Sequence, residues 1–180
     1  MPLPSALVAL LVVALIVTAV TDLRFNKIFN SITFPVMGIA VLGHTFTAGL
    51  DGLFFSGAGL MLGIALLLPL YIVGGMGAGD AKLLGAVGAV VGAEGVAYVA
   101  VFTGIYGGFY ALILLAVHRD YSRAMLSRGL ATLKTFVLTK QYIPAPNTFQ
   151  ARKKPELCYA IAIGLGSMTY LALVHFRSGV

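Results

Sequence analysis

Tryptophan is absent from this 180-residue chain, and cysteine occurs once, at Cys158. A single cysteine excludes an intramolecular disulfide and any four-cysteine zinc site. No HExxH segment and no histidine cluster takes their place, so no metal is expected. A Walker A loop is missing, as is a GxGxxG in a strand–helix setting, and no cofactor is expected either. Charge is the scarcest commodity. Only 10% of the residues are charged, 59% are hydrophobic and the mean hydropathy is +0.98. Soluble domains carry about 25% charged residues, which excludes that class and leaves an integral membrane protein.

Six apolar segments account for most of the chain: 4–20, 32–48, 53–73, 81–93, 96–117 and 157–176. The expected fold is all-α, a polytopic bundle of about six transmembrane helices, with residues 1–180 as a single transmembrane domain. The first segment lacks a basic n-region and a small-x-small cleavage site, so it reads as a spanning helix rather than a signal peptide. The fourth segment is short. Its residues cover roughly 20 Å as a helix, less than a hydrocarbon core of about 30 Å. The glycine-rich stretch before it is therefore expected below the membrane surface, buried in protein or facing a water-filled cavity.

Charge distribution sets the orientation. Arg24, Lys27 and Lys82 follow alternate apolar segments, together with the basic region 118–155, whereas Asp51 and Glu94 are the only charges in the intervening connections. The positive-inside rule then places the basic connections in the cytoplasm and both termini outside. Within 118–155, Arg119, Arg123, Arg128, Lys134 and Lys140 are interleaved with Met125, Leu126, Leu130, Leu133, Phe136 and Val137. That spacing reads as a basic cytoplasmic amphipathic segment on membrane lipids, or more plainly as a topology anchor. Membrane location accounts for the basic residues, and no nucleic-acid partner is expected. Gly59 with Gly63, Gly88 with Gly92 and Gly104 with Gly108 have the GxxxG spacing of close helix packing.

Six acids remain to be placed. Asp51 and Glu94 fall in external connections, and Asp120 and Glu156 among basic residues, where each reads as a solvated charge. Asp22 ends the first apolar segment. Asp80 begins the fourth, after Gly74, Gly75, Gly77 and Gly79. An acid within a membrane segment is a functional-site hypothesis by default. The topology puts Asp22 and Asp80 on one side at similar depth. Two carboxylates a few ångströms apart share one proton, and such a pair activates water with one member and, with the other, protonates the developing oxyanion or the leaving amine. Two other readings stay open on spacing alone. Asp80 is also in place to N-cap the fourth helix, and Asp22 to pair with Arg24 or Lys27.

Three stretches carry a family resemblance. Gly77-Ala78-Gly79-Asp80-Ala81-Lys82-Leu83-Leu84 resembles the GxGD-x-K-L stretch of type IV prepilin peptidases. Asp22-Leu23-Arg24-Phe25-Asn26-Lys27-Ile28-Phe29-Asn30 is similar to that family's other motif, an Asp followed by basic residues and Ile-Pro-Asn, with Phe29 where the family usually has proline. Tyr159-Ala160-Ile161-Ala162-Ile163-Gly164 resembles the small-residue opening of the last helix.

The resemblance implies an aspartic endopeptidase of the bacterial cytoplasmic (inner) membrane, with its active site facing the cytoplasm. Asp22 and Asp80 match the catalytic pair. Gly77, Gly79 and Lys82 match the active-site loop, and Arg24, Lys27 and Asn30 are candidate substrate contacts. The implied partner is a prepilin or pseudopilin with a short basic leader, Gly or Ala before the cut and an apolar helix after it. Larger members also carry a cytoplasmic domain with paired cysteines and N-methylate the pilin. This chain opens on its first helix and has one cysteine, so it is expected in the short Flp/Tad-type branch without that activity. From other classes, a proton- or cation-coupled transporter built around Asp80 and a noncatalytic pilus or secretion assembly factor remain as alternatives.

Overall fold

A computed structural model describes residues 4–72, 75–117 and 158–178. All regular structure among them is helical: α1 (Ser5–Phe25), α2 (Asn30–Ile72), α3 (Ala78–Val117) and α4 (Tyr159–Ser178). Each is long and apolar enough to cross a membrane. The protein is an all-α, multi-pass membrane protein.

The six expected segments thus appear as four continuous elements. The difference lies at two glycines. Gly49 in α2 has φ 62° and ψ −136°, and Gly92 in α3 has φ 78° and ψ 177°; helical structure resumes on either side of each. Positive φ at a residue without Cβ is nearly free, so one glycine does the work expected of a loop. A straight helix of the 43 residues in α2 would run about 65 Å, twice the hydrocarbon thickness. Instead α2 folds back. A Cβ at Gly52 would strike the backbone of His44, a contact that residues eight apart in a straight helix never make.

The first arm of α3 is the centre of the bundle. Leu83, Leu84, Ala86, Val87, Ala89 and Val90 are all buried, so every face of this arm is covered. A helix that is apolar all round belongs inside. The second arm of α2 lies along it in antiparallel sense, with Gly59 against Gly88 and Gly63 against Leu84. A Cβ at Gly59 or Gly88 would collide with the carbonyl of the other, so these backbones touch directly. The third GxxxG pair behaves otherwise. Gly104 and Gly108 are exposed, and a Cβ at either meets no atom within 4 Å.

The second arm of α3 packs on α4 through the stacked Tyr98 and Tyr170 rings, 6.3 Å between centroids, and a 2.9 Å hydrogen bond between Tyr106 Oη and Thr169 Oγ1. Two polar groups brace the Gly92 kink from α2. His44 Nε2 lies 3.0 Å from the Val90 carbonyl and Ser56 Oγ donates to the Ala89 carbonyl at 2.7 Å. His44 is fully buried, with Phe55 edge-on at 5.0 Å. As the carbonyl only accepts, the ring donates from Nε2. Replacing His44 by Ala is expected to leave the Val90 carbonyl short of a donor and to lower stability by about 1–3 kcal/mol. A thermal melt of the detergent-solubilised protein measures this, and an unchanged midpoint would remove His44 from the brace.

Contacts group the chain into two units, Met1–Gly107 with Cys158–Val180, and Gly108–Leu157. The packing above lies in the first. Of the second, the structure describes 108–117, the end of α3. The basic amphipathic segment expected at 118–155 lies outside the described residues.

Candidate active site

Asp22 falls on the packed face of α1. Leu7, Leu11, Leu15, Thr18 and Asp22 follow one another at intervals of three or four, and all are buried. This is the repeat of one helix face, so the carboxyl is carried inward with the core residues. Asp22 is 7% exposed. Directly after it the helix ends, because Asn26 adopts the left-handed conformation (φ 49°) and its N–H donates to the Asp22 carbonyl at 2.8 Å. Asn tolerates that region better than most residues.

The carboxylate of Asp22 is held from a distant part of the chain. Its Oδ2 accepts the Ala160 N–H at 3.3 Å, in the first turn of α4. First-turn N–H groups have no partner within their own helix, and the helix dipole favours an anion there. Cys158, immediately before α4, places its Sγ 3.9 Å from the Asp22 carbonyl and 3.7 Å from Asn26 Oδ1. Arg24 and Lys27, by contrast, are exposed, and the hydrogen-bond partner of Asp22 is a backbone group rather than either cation.

Asp80 sits in the first turn of α3 and is 9% exposed. Its Oδ2 accepts the Gly77 N–H at 3.1 Å, while its own N–H donates to the Gly77 carbonyl at 3.2 Å. With α3 starting at Ala78, Asp80 is the third helical residue and reaches back to the residue before the helix, the acidic half of a capping box. The capping role is therefore present, from the third position rather than the N-cap itself. Gly79 serves close approach. A Cβ there would come within 2.9 Å of Ile28 Cβ, so the connection after α1 closes directly onto this turn.

The two carboxyl groups are near enough to interact electrostatically. Each uses one oxygen on a helix-terminal N–H, and the other oxygen of each has no hydrogen-bond partner among the described residues. Two buried acids with a free oxygen apiece are equipped to hold a water molecule and to pass a proton. Lys82 and Asn30 also meet. Lys82 Nζ donates to Asn30 Oδ1 at 3.0 Å and lies 5.3 Å from the centre of the Phe34 ring. This exposed hydrogen bond joins the start of α2 to α3 two residues after Asp80.

The predicted residues thus divide. Asp22 and Asp80 come within electrostatic reach of each other, with Gly77 and Gly79 shaping the turn of Asp80; Lys82 and Asn30 pair with each other, and Arg24 and Lys27 are exposed. Sequence reasoning missed the first turn of α4 as a contributor. A backbone N–H has no side-chain signature, and the only signal was the small-residue pattern from Tyr159 onwards.

The model of the type IV leader peptidase family matches residues 9–112, a span that holds both aspartates, Asn30 and the whole of 77–82. The chain belongs to the type IV leader peptidase family. No curated protein and no solved structure gave a match. Membership makes it a peptidase built on a multi-pass helical scaffold. The match ends before α4, so the N–H that holds Asp22 comes from outside the matched span of this family member.

Proposed function

We propose that this family member is an aspartic endopeptidase that removes the leader peptide of type IV prepilins or pseudopilins, of the Flp type, at the cytoplasmic face of the bacterial inner membrane. One observation carries the reading: Asp22 and Asp80, from different helices, are both buried, both held by a backbone N–H, and close enough to feel each other's charge. The pair holds one proton between its members. The ionised member takes a proton from water, whose oxygen attacks the scissile carbonyl carbon. The protonated member then delivers its proton to the leaving nitrogen as the C–N bond breaks.

Placement supports this substrate class. We take the two arms of α2 and of α3 as separate crossings, which with α1 and α4 makes six and leaves both termini outside. Asp22, Asp80, Arg24, Lys27 and Lys82 then share the cytoplasmic side, opposite Asp51 and Glu94. A substrate with a basic leader and an apolar helix changes character where it leaves the bilayer, which is the depth of the two aspartates. Arg24 and Lys27, exposed at that margin, are placed to meet an acidic group of the substrate. The test is cleavage of a coexpressed type IV prepilin, read as a mobility shift, by the protein and by its Asp22→Asn and Asp80→Asn variants. Normal cleavage by either variant removes the dyad.

A further inference from the structure

Tyr159 opens α4, one residue before the Ala160 N–H that holds Asp22. Its ring is half-buried and packs on the hydrophobic core, with the phenol end seated at Gly107 of α3. A Cβ at Gly107 would lie 2.7 Å from both the Tyr159 hydroxyl oxygen and its Cε2, so only glycine leaves room for the phenol. The hydroxyl is within electrostatic reach of Asp80. It has no hydrogen-bond partner among the described residues, and it is not one of the sealed, unpaired polar atoms of the interior. A tyrosine packed in this way normally finds a partner for its O–H. This one keeps a free donor within electrostatic reach of Asp80, on the residue next to the one whose N–H holds Asp22.

In the steps above one aspartate takes the proton of water and the other is committed to the leaving nitrogen, so neither is assigned to the substrate oxygen. Peptide hydrolysis nevertheless builds negative charge on the carbonyl oxygen as water adds. From the juxtaposition of Asp22, Asp80 and an unpartnered phenol we propose that Tyr159 is a third catalytic residue, donating its O–H as a hydrogen bond to the scissile carbonyl oxygen while the tetrahedral intermediate forms. The proposal rests on the peptidase reading above. Proton bookkeeping is unchanged by it: water loses its proton to the ionised aspartate, the leaving nitrogen gains one from the protonated aspartate, and Tyr159 keeps its own. Its ring, wedged between α4 and Gly107, fixes the donor before substrate arrives, which is where such a group is most effective.

The experiment uses the full chain in detergent micelles and a fluorogenic peptide with a basic leader, a glycine before the cut and an apolar stretch after it. Tyr159→Phe keeps the ring and removes only the donor. We expect kcat to fall by roughly 10²-fold or more, the effect of losing one such donor, with KM within about twofold of the native value. A kcat within threefold of native, or a loss carried mainly by KM, overturns the proposal. Incorporation of 3-fluorotyrosine at 159 keeps both ring and O–H and makes the donor stronger. It is expected to hold kcat at or above native, and a kcat as low as that of Tyr159→Phe would show that packing rather than donation was at stake. Asp22→Asn and Asp80→Asn measured alongside separate the two readings. If they retain activity the dyad fails, and if they alone lose it Tyr159 fails.

Discussion

Asp80→Asn and Asp22→Asn, each made alone, are expected to lower the rate of leader cleavage by about 10²–10⁴-fold, the range that a positioned proton donor or acceptor contributes. Asparagine is nearly isosteric with aspartate and keeps a carbonyl oxygen. It can still accept the Gly77 N–H at position 80 and the Ala160 N–H at position 22. The helix starts that these bonds serve therefore persist, and the melting temperature is expected to move little. What disappears is the ability to take or give a proton. Because the two groups act on one water molecule as a unit, the double variant is expected to be no slower than the slower single variant, rather than the product of both losses. Kinetics and a thermal melt on the same purified preparations check all three points. A variant that melts normally and cleaves normally would overturn the assignment, whereas one that loses activity together with its fold would show a structural carboxylate.

A second large effect is expected far from the carboxylates. Gly88→Leu and Gly59→Leu should each destabilise the protein by at least about 1–3 kcal/mol, the usual result of overpacking, from a total of only about 5–15 kcal/mol. The group each new side chain meets is the carbonyl of the opposing helix. A side chain could rotate away; a backbone carbonyl can move only with its whole helix arm. Gly88 also stands eight residues from Asp80 on the same arm, about 12 Å along its axis, so separating the arms shifts Asp80 relative to Asp22. Cleavage should fall with stability. Gly104→Leu is the control, because nothing lies within 4 Å of a Cβ there and a surface substitution usually stays within about 0.5 kcal/mol. Melting temperature and accumulation of the three variants decide the matter. A Gly88→Leu protein as stable as the Gly104→Leu protein would contradict the close backbone contact.

Spacing alone treats Gly59/Gly63, Gly88/Gly92 and Gly104/Gly108 as equals. The structure does not: Gly59 meets Gly88, Gly92 is a kink, and Gly104 and Gly108 face outward. A glycine's role depends on what lies opposite its missing side chain, which no local pattern records. The form of the breaks at Gly49 and Gly92 is hidden for a related reason. Segment counting assumes that apolar helices are separated by polar loops, and two of these reversals are made by single glycines inside continuous helical stretches.

Composition and hydropathy by themselves determined that the protein is a helical membrane protein, because too few charges are present to solvate a soluble domain's surface. Residue order also singled out two of the acids. Asp22 continues the three- and four-residue repeat of a packed helix face, and Asp80 follows a run of glycines at the start of a helix. Only the tertiary structure decided how those acids are held. Asp22 is fixed by a backbone N–H 138 residues away, Tyr159 is seated by the absence of a side chain at Gly107, and the Gly92 kink is braced by His44 and Ser56. Each of these contacts has a main-chain group or an empty space on one side. Such features exist at every residue and become specific only when distant segments pack together.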